Sequence, residues 1–219
     1  MCLIDAPAGS GKTTLLAQWC LADHESRRVA WVSLDAGDDD PVRFWIYVIE
    51  AFRAVEPGLG EALVGLLQGS ESAEALTQVI LPRLLNELAT VGSELVLVLD
   101  DYHLISNPVC HQTLGFFLDH LPANVHLMMA TRIDPPLPLA RLRARGDLAE
   151  IRIAELGFTD TEAATLLNEA MGLDLALQDV QRLWERTEGW VTGLYLAGLS
   201  LRGRGDPGVF IASLQAGHR

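Results

Sequence analysis

The residue types best suited to chemistry lie near the start of the chain, in residues 6–14, which read APAGSGKTT. A short apolar run, residues 2–4, precedes this stretch, and residues 15–19 follow it with helical spacing. A strand, a glycine-rich turn, a Lys-Thr pair and a helix in this order are typical of a phosphate-binding loop. The backbone N–H groups of such a loop converge on phosphate oxygens at the positive end of the helix dipole.

The loop therefore supplies the expected nucleotide-binding residues: Ala8, Gly9, Ser10, Gly11, Lys12, Thr13 and Thr14. The Lys12 ammonium is expected to face the β- and γ-phosphates, and the Thr13 hydroxyl to occupy one position on Mg²⁺. The full pattern, G-x-x-x-x-G-K-[ST], has Ala6 at its first position instead of glycine. Alanine fits there if φ is negative and if Gly9 and Gly11 take the strained positions. The alternative is an ordinary glycine-rich turn with a solvated lysine.

A pair of acids follows the second chemically informative segment, the apolar run of residues 95–99 (LVLVL). In an open parallel sheet, the binding crevice forms at the carboxyl ends of the strands. Asp100 is therefore expected to hold Mg²⁺, and Asp101 to orient or deprotonate an attacking water. For Asp101 the alternative is a capping role in the following turn.

Arginines follow the next apolar segment, residues 125–131. Arg132, at its end, is expected to contact the γ-phosphate and to distinguish ATP from ADP, a solvated strand end being the alternative. Three further arginines are equally compatible with nucleotide contacts, a solvated face or a partner surface: Arg141, Arg143 and Arg145. Trp190 opens a later helical segment and lies either near the nucleotide or in a core.

Composition narrows the functional classes. The chain has 219 residues, of which 49% are hydrophobic, enough for a full core. Its net charge of −13 argues against a broad nucleic-acid-binding surface but is compatible with nucleotide binding. Three cysteines without C-x-x-C spacing indicate reduced thiols, and no apolar run reaches membrane-spanning length. We therefore expect a cytoplasmic protein without a membrane partner.

Alternating strand-like and helix-like segments predict a doubly wound parallel sheet. Strands are predicted at residues 2–4, 29–34, 95–99, 125–131 and 150–153, and helices at residues 44–55, 75–88 and 109–121. A capping box with Thr159 as N-cap then begins an all-helical part, with helices predicted at residues 162–171, 177–187 and 190–201. The expected fold class is α/β, a P-loop NTPase sheet of about five strands (ASCE/AAA-like) followed by a small helical domain.

These patterns predict three parts. A nucleotide-binding domain is expected at residues 1–155, a helical domain at 156–203 and a connector at 204–219. The loop begins six residues into the chain, and no closing element is evident at the other end. We interpret the sequence as a fragment of a longer protein.

Taken together, these motifs resemble the ATPase core of MalT-like transcriptional regulators of the LuxR family (LAL type). These are STAND-class signal-transduction ATPases related to NACHT and NB-ARC proteins. The resemblance is carried by residues 6–15, 31–35 (WVSLD) with Phe44, 99–103 (LDDYH), 131–132 with 139–146, 158–162, and 188–194 (EGWVTGL). It covers nearly the whole chain, and the first loop position is often alanine in that family.

The resemblance implies a molecular switch that binds ADP at rest and ATP when active. It implies that Lys12 and Thr13 bind phosphate and Mg²⁺, that Asp100 binds the metal, and that Asp101 and Arg132 serve slow hydrolysis. Self-association in the ATP state and DNA binding are implied for the full-length protein only. The family's winged-helix, inducer-sensing and helix-turn-helix domains have no counterpart in these residues, so DNA binding is expected through a domain outside this chain.

Three other functions remain open at this stage. A small-molecule kinase would use the same loop but needs an arginine-bearing lid, and the helical part is poor in arginine. An AAA-type remodelling ATPase needs an arginine finger acting across a ring. A scaffold that does not bind nucleotide would have no use for Lys12.

Overall fold

The computed structural model describes residues 1–22, 27–69 and 73–202, and its first part contains a five-stranded parallel sheet. The strands are β1 (Cys2–Asp5), β2 (Arg27–Ser33), β3 (Glu94–Asp100), β4 (Val125–Thr131) and β5 (Ala149–Ile151). Their order in the sheet is β2-β3-β4-β1-β5, and each neighbouring pair is parallel. The predicted α/β fold with a parallel sheet of about five strands is confirmed.

Helices connect the strands, as the alternating pattern predicts. In the first part of the chain they are α1 (Lys12–Ala22), α2 (Pro41–Val55), α3 (Glu61–Gln68), α4 (Ala73–Ala75), α5 (Leu81–Thr90), α6 (Pro108–Asp119) and α7 (Leu139–Arg145). A π-helical segment, Leu76–Ile80, lies between α4 and α5, so the helix predicted at residues 75–88 is interrupted. The second part contains α8 (Ile153–Leu156), α9 (Asp160–Ala164), α10 (Leu177–Thr187) and α11 (Val191–Leu201), with a π-helical segment, Thr165–Ala170, after α9.

The strand register brings the chemically informative strand ends to one edge of the sheet. Asp5, at the end of β1, is paired with Thr131 at the end of β4. Asp100, at the end of β3, is paired with Ser33 at the end of β2. The carboxyl ends of parallel strands share an edge. The residues that follow β1, β3 and β4 therefore leave the sheet on the same side.

The core of the sheet explains why β3 is a continuous apolar run. Residues 95–99 are all essentially inaccessible to solvent, as expected for a strand covered on both faces. Aromatic residues of α2 and α6 are among the largest fully buried side chains of the adjoining core, with Trp45 in edge or tilted contact with Phe44 and Phe117. The Trp45 indole N–H donates to the Thr113 hydroxyl at 3.0 Å, so this buried polar group is satisfied.

The described chain divides into two compact units. The first comprises residues 1–6 and 12–151, and the second comprises residues 7–11 together with the chain from Arg152 onward. The second unit has its own core of eight buried residues: Ala163, Leu167, Met171, Leu175, Val180, Leu183, Leu194 and Leu201. The predicted connector at residues 204–219 lies outside the described residues.

The helical part begins at the capping box that the sequence predicts. Thr159 accepts a hydrogen bond from the backbone N–H of Glu162, and the Glu162 carboxylate accepts from the Thr159 N–H at 2.8 Å. This reciprocal pair satisfies two backbone donors that the first turn of a helix leaves unpaired. The prediction of Thr159 as the N-cap is confirmed.

One sequence prediction about an element is wrong, and the helix α3 was not predicted. The strand expected at residues 150–153 ends at Ile151, because Ile153 begins α8 and the Arg152 N–H donates to the Glu155 carboxylate at 2.9 Å. Helix α3 has no predicted counterpart. It is a single short helix that follows Gly60, whose φ of 67° ends the preceding turn. No helix among the described residues is long and apolar enough to cross a membrane.

Candidate functional site

The glycine-rich turn between β1 and α1 has two glycines in the left-handed region of backbone conformation. Gly9 and Gly11 take φ values of 71° and 84°, and Ala6 is not among the residues with positive φ. Glycine reaches this region without the steric cost that a Cβ imposes. The strain therefore falls where the sequence places glycine, and Ala6 is compatible with the turn.

Lys12, the only lysine in the chain, closes the loop on itself. Its ammonium donates to the carbonyl of Ala6 at 2.8 Å, and the residue is only 6% exposed. Burial lowers the pKa of the Lys12 ammonium below its ordinary value, and Arg132 lowers it further. Carboxylates at the same edge oppose this shift: Asp101, Asp100 and Asp5. Three carboxylates and one guanidinium thus act on the charge of the Lys12 ammonium.

Asp100 is held in place from both carboxylate oxygens. One oxygen accepts from the Thr13 hydroxyl at 2.9 Å, and the other accepts from the Asp101 backbone N–H at 3.0 Å. The residue is 3% exposed. Its contact with Thr13 joins the first turn of α1 to the end of β3, so two of the residues predicted to hold a metal lie within hydrogen-bond distance of each other.

Asp101 has an unusual backbone conformation for a residue with a side chain. Its φ is 58° and its ψ is 37°, in the left-handed region, and its side chain makes no capping hydrogen bond to the following helical turn. Left-handed conformations in non-glycine residues are uncommon and concentrate at functional sites. The capping alternative is therefore not supported. The half-exposed carboxylate lies 3.7 Å from Nδ1 of His103.

His103 is the residue of this edge for which the sequence analysis expects no role. Its side chain is 11% exposed. Burial lowers the pKa of the His103 imidazole, Arg132 and Lys12 lower it further, and Asp101 and Asp100 oppose the change. The signal available in the sequence was its position two residues after the second acid.

The predicted arginines divide into two groups. Arg132 is exposed at the end of β4, close enough to influence the titration of Lys12 and His103. The arginines of α7 instead pair with acids of the first unit's surface. Arg143 makes a bidentate contact with Glu150 at 2.7 and 2.8 Å, and Arg141 contacts Asp119. These ion pairs account for the α7 arginines without a nucleotide.

The loop residues of the second unit contact the start of α11. The Trp190 indole N–H donates to the Ala8 carbonyl at 2.9 Å, and the Thr192 hydroxyl donates to the Gly9 carbonyl at 2.8 Å. Ser10 is 2% exposed, and its hydroxyl has no hydrogen-bond partner among the described residues. Trp190 is 36% exposed, so it is not the core residue that the alternative interpretation expects.

Comparison with known proteins gives closely matching relatives. The chain is 40% identical over 205 residues to the serine/threonine-protein kinase PknK of Mycobacterium tuberculosis, which is 93% of this chain and 18% of PknK. It is 38% identical over 200 residues to the HTH-type transcriptional regulator MalT of Serratia proteamaculans, which is 91% of this chain and 22% of MalT. The predicted resemblance to MalT-like regulators is confirmed. The chain is homologous to one segment of these proteins and spans about a fifth of their length.

Comparisons with protein-family models and solved structures give less information about this chain. No protein-family model matches the chain. Among solved structures, the Aeropyrum pernix ORC1 protein in complex with DNA matches with a TM-score of 0.48 and 16% identity, covering 98% of this chain and 58% of that one. The chain is thus homologous to one segment of these relatives, and its parallel sheet carries a glycine-rich loop between β1 and α1, an arrangement typical of the P-loop fold.

Proposed function

We propose that this chain is the ATP/ADP-binding switch module, with slow ATPase activity, of a multidomain signal-transduction ATPase that regulates transcription. The observation that carries the proposal is the arrangement of Lys12, Thr13 and Asp100. A buried lysine on a glycine turn lies beside a hydroxyl that is hydrogen-bonded to a buried strand-end carboxylate. These are the groups that bind a phosphate tail and its metal ion in P-loop proteins.

The residues present fit a nucleotide with Mg²⁺. The orphaned Ser10 hydroxyl is a buried donor within the loop, which a phosphate oxygen would satisfy. Thr13 and Asp100 supply the hard oxygen ligands that Mg²⁺ prefers, and their hydrogen bond holds both. Among the described residues there is no group of three or more acidic, histidine or cysteine side chains suited to a metal. This suits Mg²⁺, which one or two protein groups and the substrate phosphates commonly bind. When bound, Mg²⁺ neutralises charge on the phosphates.

The remaining roles follow from position. Loop residues 8–14 bind the phosphates through backbone N–H groups and hydroxyls, and Lys12 adds a positive charge. Asp101, half exposed at the same edge, orients or deprotonates the attacking water. Arg132 contacts the γ-phosphate and makes the site sensitive to ATP over ADP. Self-association in the ATP state and DNA binding through a domain outside this chain belong to the same proposal.

The two relatives support a shared nucleotide-dependent role rather than a kinase activity of this segment. One is named a protein kinase and the other a transcriptional regulator, yet each matches about nine-tenths of this chain. The property that these residues have in common is therefore not the output of either protein. Hydrolysis without transfer to an acceptor is expected, and transfer of phosphate to a small molecule or peptide faster than to water would favour the kinase alternative.

Nucleotide titration tests the proposal directly. We expect the chain to bind ADP and ATP in a calorimeter, with Mg²⁺ strengthening ATP binding. Lys12→Ala should weaken both by about ten- to a hundredfold, because hydrogen bonds to charged groups are among the stronger ones. Arg182→Ala, which removes an exposed cation paired with Asp179, is the control and should bind normally.

The single lysine allows a second measurement. An acyl-phosphate derivative of ATP transfers its acyl group to a neighbouring lysine amine, and Lys12 is the only candidate side chain. Peptide mass spectrometry should find the label on Lys12, and excess ADP should prevent it. Absence of heat with either nucleotide, together with labelling that ADP does not affect, would overturn the proposal.

A further inference from the structure

The carbonyl oxygens of the phosphate loop are held by the first turn of α11. Trp190 donates its indole N–H to the Ala8 carbonyl at 2.9 Å. Thr192 donates to the Gly9 carbonyl twice, from its hydroxyl at 2.8 Å and from its backbone N–H at 3.4 Å. Three donors thus converge on two consecutive carbonyls, all within the second unit.

These contacts satisfy hydrogen-bonding groups of the helix as well as of the loop. The first N–H groups of a helix have no partner within it and are usually satisfied by a capping side chain. Trp190 occupies the N-cap position of α11 and makes no side-chain capping bond. The Gly9 carbonyl takes the place of the capping acceptor for Thr192, in the second position of the helix. The loop and the helix therefore depend on the same hydrogen bonds.

Holding a carbonyl also fixes the direction of an amide. A peptide unit is planar and trans, so its N–H points opposite to its C=O. The carbonyls of Ala8 and Gly9 belong to the same peptide units as the N–H groups of Gly9 and Ser10. Anchoring those carbonyls on the side of α11 turns the two N–H groups the other way. These are N–H groups that a phosphate loop must direct at its anion.

The fit around Gly9 is close. A Cβ built on this residue would lie 2.2 Å from the Thr192 hydroxyl oxygen, and its φ of 71° also favours glycine. The glycine is thus required both by the turn and by the approach of Thr192. This accounts for a close contact between two residues 183 positions apart.

We propose that Trp190 and Thr192 are positioning residues of the phosphate loop. They hold the Ala8 and Gly9 carbonyls and thereby orient the Gly9 and Ser10 amides for the phosphate tail of a nucleoside di- or triphosphate. The inference rests on the proposed nucleotide-binding function and adds to it two determinants of affinity in the helical part. Neither residue touches the phosphate; each acts through a loop carbonyl.

Two conservative substitutions remove the donors while preserving shape. Thr192→Val removes the hydroxyl, and Trp190→Phe removes the indole N–H. Each variant should weaken ADP and ATP binding about three- to tenfold in calorimetry, because one hydrogen bond is lost from an organised loop. Tripolyphosphate, which carries only the phosphate part, should lose affinity by the same factor. Thr192→Ser should restore wild-type binding.

The second unit supplies matched controls. Thr187 donates its hydroxyl to the Leu183 carbonyl at 2.9 Å, and Trp184 donates its indole N–H to the Phe158 carbonyl at 2.6 Å. Thr187→Val and Trp184→Phe remove the same chemical groups without touching the loop. Both should bind nucleotide within about twofold of wild type, as expected for changes away from a site.

The outcomes separate this inference from the proposed function. If wild type binds and Lys12→Ala does not, but Thr192→Val and Trp190→Phe bind normally, the positioning role is wrong and nucleotide binding stands. If the control variants lose as much affinity as the test variants, the effect is general destabilisation and the positioning role is again wrong. If wild type binds neither ADP nor tripolyphosphate, the proposed function itself fails.

Discussion

Individual side chains at the carboxyl edge of the sheet differ in their surroundings, and these differences suit them to different roles in the proposed site. Asp100 is buried and hydrogen-bonded through both oxygens, which suits a fixed ligand. Asp101 lies next to it in sequence but is half exposed, in a left-handed conformation that places its carboxylate near His103. Two adjacent acids thus have different environments, and different environments allow different roles.

The role of Asp101 can be tested by removing its charge alone. Asp101→Asn should lower the rate of ATP hydrolysis by about a hundredfold or more, because the amide cannot accept a proton from water. ADP affinity should stay within about twofold, since the carboxylate is not a predicted phosphate ligand. Phosphate release from labelled ATP gives the rate. Asp147→Asn, at an exposed turn of the first unit, is the control, and a wild-type rate in Asp101→Asn would contradict a role as base.

Secondary-structure elements decide where these side chains lie. The apolar run of β3 is buried on both faces and therefore delivers Asp100 to a fixed point at the edge of the sheet. The first turn of α1 carries Lys12 and Thr13 to the same edge. In the helical part, α9 begins at the capping box. The backbone N–H of Thr192, in the first turn of α11, donates to the Gly9 carbonyl of the loop. In both units, the first turn of a helix therefore fixes the position of residues of interest.

The capping box makes a measurable contribution to stability. Thr159→Ala should lower the free energy of unfolding by about 1 kcal/mol in urea denaturation, because the Glu162 N–H loses its acceptor. Thr161→Ala, two residues further along the chain, is the control. It should lower the free energy of unfolding little, because alanine favours the helix. Equal stability of Thr159→Ala and wild type would show that the cap is not formed in solution.

The same box predicts a pH dependence. Hydrogen bonds from the Thr159 backbone N–H, and then from its hydroxyl, lower the pKa of the Glu162 carboxyl below its ordinary value. A lowered pKa in the folded state stabilises the protein above the unfolded pKa, and this stabilisation is lost as pH falls through the folded value. Thr159→Ala keeps the backbone N–H but loses the hydroxyl that also donates to this carboxylate, so the part of the stability difference that comes from the hydroxyl should shrink at acidic pH in urea denaturation.

The described residues form two separate hydrophobic clusters. One lies against the sheet and includes the alternate β3 side chains Leu95, Leu97 and Leu99, and the other consists of eight residues in the helical part. Each unit buries its own apolar surface, which is what allows a compact unit to fold cooperatively. The short loop segment of residues 7–11 is the exception, because its sequence neighbours belong to one unit and its contacts to the other.

Separate cores predict separate effects of cavities. Leu183→Ala, at a position 1% exposed in α10, should destabilise the helical unit by about 2–5 kcal/mol. Hydrogen exchange followed by mass spectrometry should show faster exchange at residues 160–201 and unchanged protection in β3. Leu97→Ala, fully buried in β3, should give the opposite pattern. Equal loss of protection in both regions from either variant would show one cooperative unit instead of two.

Local patterns were sufficient to predict the positions of the strands, the glycines that take positive φ in the loop, and the capping box. Each of these depends on residues within about a dozen positions of one another, through periodicity, glycine content or cap spacing. Sequence patterns did not predict the short helix α3 or the correct end of β5, because the local signals there are weak. A three-residue strand next to a four-residue helix leaves too few residues for a period to be recognised.

The partners of the loop and of the acids were decided by the folded chain alone. Nothing in the spacing of Ala8 and Trp190 indicates that they meet, because every residue carries a carbonyl and a backbone acceptor has no signature in the sequence. The same holds for His103 beside Asp101 and for Arg143 on Glu150, since charged residues at a surface have many possible partners. Folding brings together elements that are far apart in sequence. This determines which of the possible partners lie within hydrogen-bond distance of each polar group.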